Sequence, residues 1–257
     1  MTEYETITVV LSALAILLSI LIPLVQWIWK KWITRANVKF YPVGFATLMF
    51  NQSGSYLQLN GVIESEKKAV SIRKMRVRLT RKKDNRTLNL TWSHLISPVN
   101  QRLVGNIMQT TECAHPFRVD GDSIMTTFIE YTDPFDSFGK TFRINTSKLF
   151  EEADRLPILQ SDYSSAAKSY SDAKEYSEVK QILKDEFYWL VGQYCLDVIV
   201  DYNNSKKVFS YEFSISENDY NDLSQNIDES LLAPLKNNYQ RKWDFRSALV
   251  EISERKA

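Results

Sequence analysis

Histidine is the side chain that most readily exchanges protons near neutral pH, and this chain has only two, His94 and His115. His115 follows Cys113 by two positions in TECAHPF, so an extended strand would turn both side chains to one face. A thiol and an imidazole on one face suit a nucleophilic site or a metal. Either needs a further group to orient the base or complete the ligand set, and none stands close by in sequence. The expectation is a buried thiol beside a loop histidine, with His94, in TWSHLISP, a structural residue. Dinucleotide, phosphate-loop, zinc-protease, serine-hydrolase and CxxC patterns are absent. Asp120–Asp122 (DGD) and Asp133-Pro134 with Asp136 are turn signals, since calcium loops need more acids at set spacing. No catalytic, cofactor-binding or metal-ligating residue is assigned. No cofactor is expected, and the chain is not expected to be an enzyme.

The sharpest local feature is the basic run RKMRVRLTRKK, residues 73–83. Lys74, Arg76 and Arg78 alternate with apolar residues, which on a strand makes one outward stripe. Arg81, Lys82 and Lys83 follow in the turn. The stripe suits an anionic surface, the nearest being a membrane leaflet. Its plainer role is a charged face that blocks pairing with other chains. No aromatic residues interleave with it, so nucleic acid is not expected as a partner. The aromatic cluster EYTDPFDSFGKTF, residues 130–142, suits either a docking loop or a loop folded back on the domain.

These residues sit on a chain of 257 residues with formal net charge +1 and 44% hydrophobic content, the composition of a folded protein. Short segments with period-two alternation predict strands. Leu57, Leu59 and Ile63 share a face, as do Met75, Val77 and Leu79, and Leu88, Leu90 and Trp92. Residues 193–202 and 208–215 read as a hairpin across the polar turn NNSKK. GQYCLDVIV resembles the penultimate strand of immunoglobulin-like folds, and AHPFRVDGDSIMTTFIEY resembles the strand pair before it. The resemblance implies an immunoglobulin-like antiparallel β-sandwich over residues 37–216. The Cys…Trp…Cys spacing of true immunoglobulin domains is not evident, so no family function follows. A helical insertion is expected at 146–186 and a C-terminal helical segment at 217–257, with a helix ending near Pro234 and residues 243–252 as a closing helix or strand. Cys113 and Cys195 are expected to be reduced, buried thiols.

Ahead of the domain, residues 7–29 carry no charge, and 20 or so apolar residues cross a bilayer. After a short tail, 1–6, residues 7–32 are expected to be one transmembrane anchor helix. Trp27, Trp29 and Trp32 make an aromatic belt, and Lys30, Lys31 and Arg35 a cationic flank. The acidic tail and the aromatic, basic residues that follow argue for an uncleaved signal anchor over a signal peptide. Cationic flanks stay cytoplasmic, so the N-terminus is expected outside the cell (inner) membrane and the domain inside. Five Asn-x-Ser/Thr sequons, at Asn51, Asn85, Asn89, Asn145 and Asn203, pull the other way, toward a glycosylated extracellular domain. The partners expected are the lipid bilayer and a protein, and the function a single-pass, membrane-anchored scaffold or sensor with a cytosolic domain. The segments 93–116 and 146–186 are its expected contact surfaces. Two alternatives stand beside it. One is a membrane-acting effector of bacterial stress or phage-defence type, homo-oligomeric through the small residues Ala15 and Ser19. The other is an extracellular adhesion or receptor-like domain.

Overall fold

The computed structural model describes residues 3–29, 36–103, 106–155 and 162–255. The apolar N-terminal segment is one helix, α1 (Glu3–Ile28), with Pro23 inside it. Its stretch Ile7–Ile28 is long and apolar enough to cross a bilayer, and none of it is buried against the rest of the chain. Length and composition of this kind suit an anchor or a signal sequence equally. Polar side chains in α1 bond their own backbone: Ser12 donates to Thr8 O and Ser19 to Ile16 O.

The rest of the chain is mainly antiparallel sheet. The strands are β1 (Asn37–Asn51), β2 (Gly54–Glu66), β3 (Val70–Arg81), β4 (Thr87–Leu103), β5 (Asn106–Cys113), β6 (Phe117–Val119), β7 (Ser123–Thr132), β8 (Gly192–Tyr202), β9 (Ser205–Ile215), β10 (Ser247–Glu251) and β11 (Ser253–Glu254). Three helices, α2 (Ser137–Arg155), α3 (Tyr163–Ser171) and α4 (Lys174–Glu186), separate β7 from β8, and α5 (Glu217–Asn238) follows β9. The helical stretch thus begins before Thr146.

The sheet is a nearly closed barrel rather than a sandwich of two sheets. Its order is β10-β1-β2-β7-β4-β3-β8-β9-β11. The two outer strands of that order are consecutive in the chain. β10 pairs with β1 from Phe45↔Glu251 to Met49↔Ser247, and β11 pairs with β9 through Ser253↔Glu212. One terminal segment therefore lies between β1 and β9 and satisfies both edges, which removes the exposed ladders of an open sheet. The described part of the expected helical segment 217–257, residues 217–255, is accordingly a helix followed by this closing strand, not helical throughout. Toward the start of β1, side chains span the seam instead: Lys207 Nζ donates to Val38 O at 2.7 Å and the Tyr211 hydroxyl to Phe40 O at 2.9 Å.

Alternation along each strand fills the interior. Leu57, Leu59, Ile63, Met75, Val77, Leu79, Leu90, Leu196, Val198 and Val200 all point in and are buried. Phe40 lies so close over Gly61 that a Cβ there would meet its ring at 2.6 Å, which excludes any larger residue. β1 bends at Val43–Phe45, between Pro42↔Gly61 and Ala46↔Leu59. Pro42 stands just before the bulge and Gly44 inside it, at φ +89°.

One end of the barrel is capped by helices. The segment Phe187–Leu190 closes the mouth, with Trp189 fully buried and its Nε1 donating to Met49 O at 2.9 Å. The Tyr194 hydroxyl takes the Leu190 N–H at 2.8 Å, and its ring stacks on Phe213. α5 starts with a capping box, Ser216 with Asp219, and crosses the same end. It runs through Pro234 to Asn238. Proline leaves the carbonyl four residues back without its helical donor, and Gln52 Nε2 donates to that carbonyl, Ser230 O, at 3.3 Å. Asn226 ties α5 down by donating to Phe50 O and Arg246 O while accepting from Arg246 N.

Candidate functional site

The residues expected to carry function are dispersed by the fold. Trp27 is exposed on the last turn of α1 and Trp29 just past its end, and Ala15 and Ser19 are exposed one turn apart on it. Lys30, Lys31, Trp32 and Arg35 lie outside the described residues. In the basic run, Arg76 and Arg78 point outward but face acids on β8: Arg76 bonds Asp201 at 2.6 Å and Arg78 bonds Asp197 at 2.6 Å. Lys82 bonds Glu212 at 2.7 Å. Lys74 and Lys83 are exposed. Arg81 does not share the outer face. It is 3% exposed, donates to Tyr188 O, and is held by Asp84 beneath the aromatic plug. The inward parity of position 81, odd like Leu79 and Val77, puts it there.

Cys113 and Cys195 are free thiols, Cys113 exposed and Cys195 half-buried, so the expected buried thiols are not found. The segment 93–116 is not a loop over most of its length. β4 continues past β3 and folds back as β5, so that His94 stands opposite Cys113. Ala114 N donates to Ser93 O at 2.8 Å, which makes His94 and Cys113 a non-hydrogen-bonded pair, the kind whose side chains stand closest. On its other side, His94 faces Glu130 of β7. A one-residue bulge at Ser93 turns His94 outward beside that carboxylate, with Nδ1 3.2 Å from Glu130 Oε1. Thiol, imidazole and carboxylate thus form one row across three strands. The thiol makes no hydrogen bond to the ring. His115, expected to be a loop histidine beside the thiol, has its Nδ1 3.1 Å from Cys113 O.

The cap end carries a small polar cleft of about 210 Å³ between the barrel mouth and α2. Arg86, Asp133, Ser137, Thr141, Glu186 and Tyr188 line it. Arg86 bonds Glu186 at 3.2 Å and the Asp185 carbonyl at 3.3 Å. Burial works against the charge on Asp133, but N–H groups of Phe135 and Ser137 more than offset it and hold the carboxyl below its ordinary pKa. Both acids of the cleft are therefore engaged, and so are two of its hydroxyls, Thr141 donating to Ser137 O and Tyr188 to Arg86 O. The aromatic cluster beside it divides. Phe138 and Phe142 fold back, Phe138 against Phe50 at 5.2 Å, while Phe135 is 73% exposed at the cleft's edge. Ile144, on the outer face of α2, is 75% exposed.

Sequence reasoning missed the His94–Glu130 contact because the two are 36 residues apart. It also missed Trp189, whose only signal is the aromatic run FYWL at 187–190.

No family model matches the chain, and no curated protein matches it. Among solved structures it is similar to a family 123 glycoside hydrolase from Clostridium perfringens, described for glycolipid glycan hydrolysis, at 8% identity and a TM-score of 0.30. The match covers 71% of this chain and 27% of that enzyme's chain. A likeness that low carries no argument about fold or activity.

Proposed function

We propose that the protein is a membrane-tethered binding module whose capped end docks a protein partner. The tether is α1, with the domain on the cytoplasmic side as the flanking charges direct. The observation that carries the reading is Phe135, an aromatic side chain left in solvent at the edge of a polar cleft. Exposed aromatics beside convergent polar groups are the usual centres of interface energy. β1 enters the barrel at Asn37 and the helical cap lies at the other end, so Phe135 sits on the side away from the tether. Tethering raises the concentration of such a module at the membrane.

A photo-crosslinking residue at position 135 of the full chain, in native membranes, tests this. The expected result is one discrete protein adduct, lost when Arg86→Glu reverses the charge in the cleft. Absence of an adduct, or an adduct indifferent to Arg86→Glu, counts against the docking site. The side of the membrane is tested separately. An impermeant maleimide should reach Ser205→Cys, in a chain lacking Cys113 and Cys195, only after cells are permeabilised.

A second reading rests on the row Cys113, His94 and Glu130, the order of a nucleophile, a base and an orienting acid. Thiol chemistry at this row predicts that His94→Gln slows alkylation of Cys113 about a hundredfold at neutral pH, a general-base effect at the low end of its range. Equal rates would remove it.

A further inference from the structure

We infer that the Asn37 end of the barrel rests on an anionic lipid surface through Lys68, Arg73, Lys74 and Lys206. The inference rests on the membrane-tethered reading and adds the surface that the domain touches.

Chain length sets the geometry. Eight residues, 29–36, join the end of α1 to β1, and they reach at most about 29 Å when fully extended. Whatever their path, the Asn37 end stays within that distance of the end of α1. The same end of the barrel carries the β2–β3 turn at Lys67–Ala69, the Asp120–Asp122 turn and the two-residue β8–β9 turn at Asn203-Asn204.

Charge at this end is unevenly matched. Asp201 is held by Arg76, Asp120 by Arg118, and Glu66 by Lys39, while Asp122 accepts the Lys67 N–H and Glu64 the Tyr41 hydroxyl. Lys68, Arg73, Lys74 and Lys206 are exposed and, among the described residues, make no ion pair. A backbone device adds to the excess. β3 carries one extra residue between Ile72↔Tyr202 and Lys74↔Asp201, so Arg73 and Lys74, adjacent in sequence, are both exposed. Across the strands, Lys74 and Lys206 flank Asp201, whose carboxylate is already taken. The rest of the stripe differs. Farther along β3, Arg76, Arg78 and Lys82 are matched by acids on β8 and β9. Unmatched cations therefore gather at the end that the chain holds near the bilayer. A leaflet rich in anionic lipid attracts such a rim, and the tether makes the encounter intramolecular.

The test uses the full chain with Cys113→Ser, Cys195→Ala and Ser205→Cys, a fluorophore at 205, in nanodiscs that carry a headgroup-bound quencher. Discs of phosphatidylcholine alone are compared with discs containing about 30% phosphatidylglycerol, an anionic content that draws basic segments to the surface. The expected result is stronger quenching in the anionic discs, reversed by about 0.5 M salt, where the screening length is only a few ångströms. The variant K68Q/R73Q/K74Q/K206Q should lower the docked-to-undocked ratio about a thousandfold, roughly fivefold for each cation near a charged leaflet. The variant K68Q/K206Q, which leaves β3 untouched, should give an intermediate loss. Equal quenching in both lipids, or no response to either variant, overturns the docking while the tether stands. A chain that does not co-purify with the disc overturns the tether and the docking together.

Discussion

Arg81 lies in the same basic run as Arg76 and Arg78, yet its surroundings are opposite. Its guanidinium donates to Asp84 at 2.9 and 2.5 Å and to Tyr188 O at 3.0 Å, and it lies over the Tyr188 ring at 5.7 Å. Arg81→Ala should cost about 3 kcal/mol in chemical denaturation, since it empties a buried site beneath the plug and leaves Tyr188 O without this donor. Arg81→Met should cost less, because it refills the apolar stem and leaves Asp84 in contact with solvent. The Arg81 guanidinium and the Arg86 N–H hold the Asp84 carboxyl at about 2, against 3.8 ordinarily. A depressed acid stabilises the fold above its unfolded pKa, so this contribution is complete above pH 4 or so and fades as pH falls toward 2. Acid titration of wild type against Asp84→Asn measures it, and curves that stay parallel across that window would count against the pairing. The alternation of the run was legible in the sequence; the acids that answer it, on β8 and β9, were not. They lie more than a hundred positions away and come into register only when β3 pairs with β8.

Among the elements, the strands were the most legible. Period-two alternation marked the buried faces of β2, β3, β4, β8 and β9, because a pleated strand leaves little choice about which side chains turn in. Helix ends were less so. Pro234 reads as a stop, but Gln52 answers the carbonyl it leaves free, and α5 continues. The short plug Phe187–Leu190 has no periodicity to detect. Its weight lies in Trp189, and Trp189→Ala should cost about 4 kcal/mol by thermal or chemical denaturation. A cost below about 1 kcal/mol, the range of surface changes, would mean that the mouth is not packed by this residue. The barrel mouth and interior also hold tyrosines, Tyr131, Tyr188, Tyr194 and Tyr211, whose ionisation burial pushes above the ordinary 10.0. A raised acid stabilises the fold below its unfolded pKa, and the contribution falls away as pH climbs past 10. Ultraviolet titration should therefore release these phenolates in one step with unfolding rather than singly.

For the whole molecule, closure is the decisive feature. Residues 247–255 join β1 to β9, with Ile252 N donating to Gly44 O and Arg255 N to Ser210 O as the segment passes from one edge to the other. Ending the chain at Arg246 should leave two unpaired edges, and gel filtration should show aggregates or strand-exchanged dimers in place of the parent species. A monodisperse product with unchanged melting would mean that the closing strand is dispensable. The sequence alone determined the apolar helix, the strand-rich domain, the inward faces and the helical stretch between β7 and β8, since each is written in residues a few positions apart. Only the tertiary structure decided that the sheet curls into a barrel, that Cys113 meets His94 and His94 meets Glu130, and that the basic stripe is matched at one end and open at the other. Those outcomes depend on which strands become neighbours. Strand pairing is set by the summed burial of the whole barrel, which no local stretch of sequence encodes.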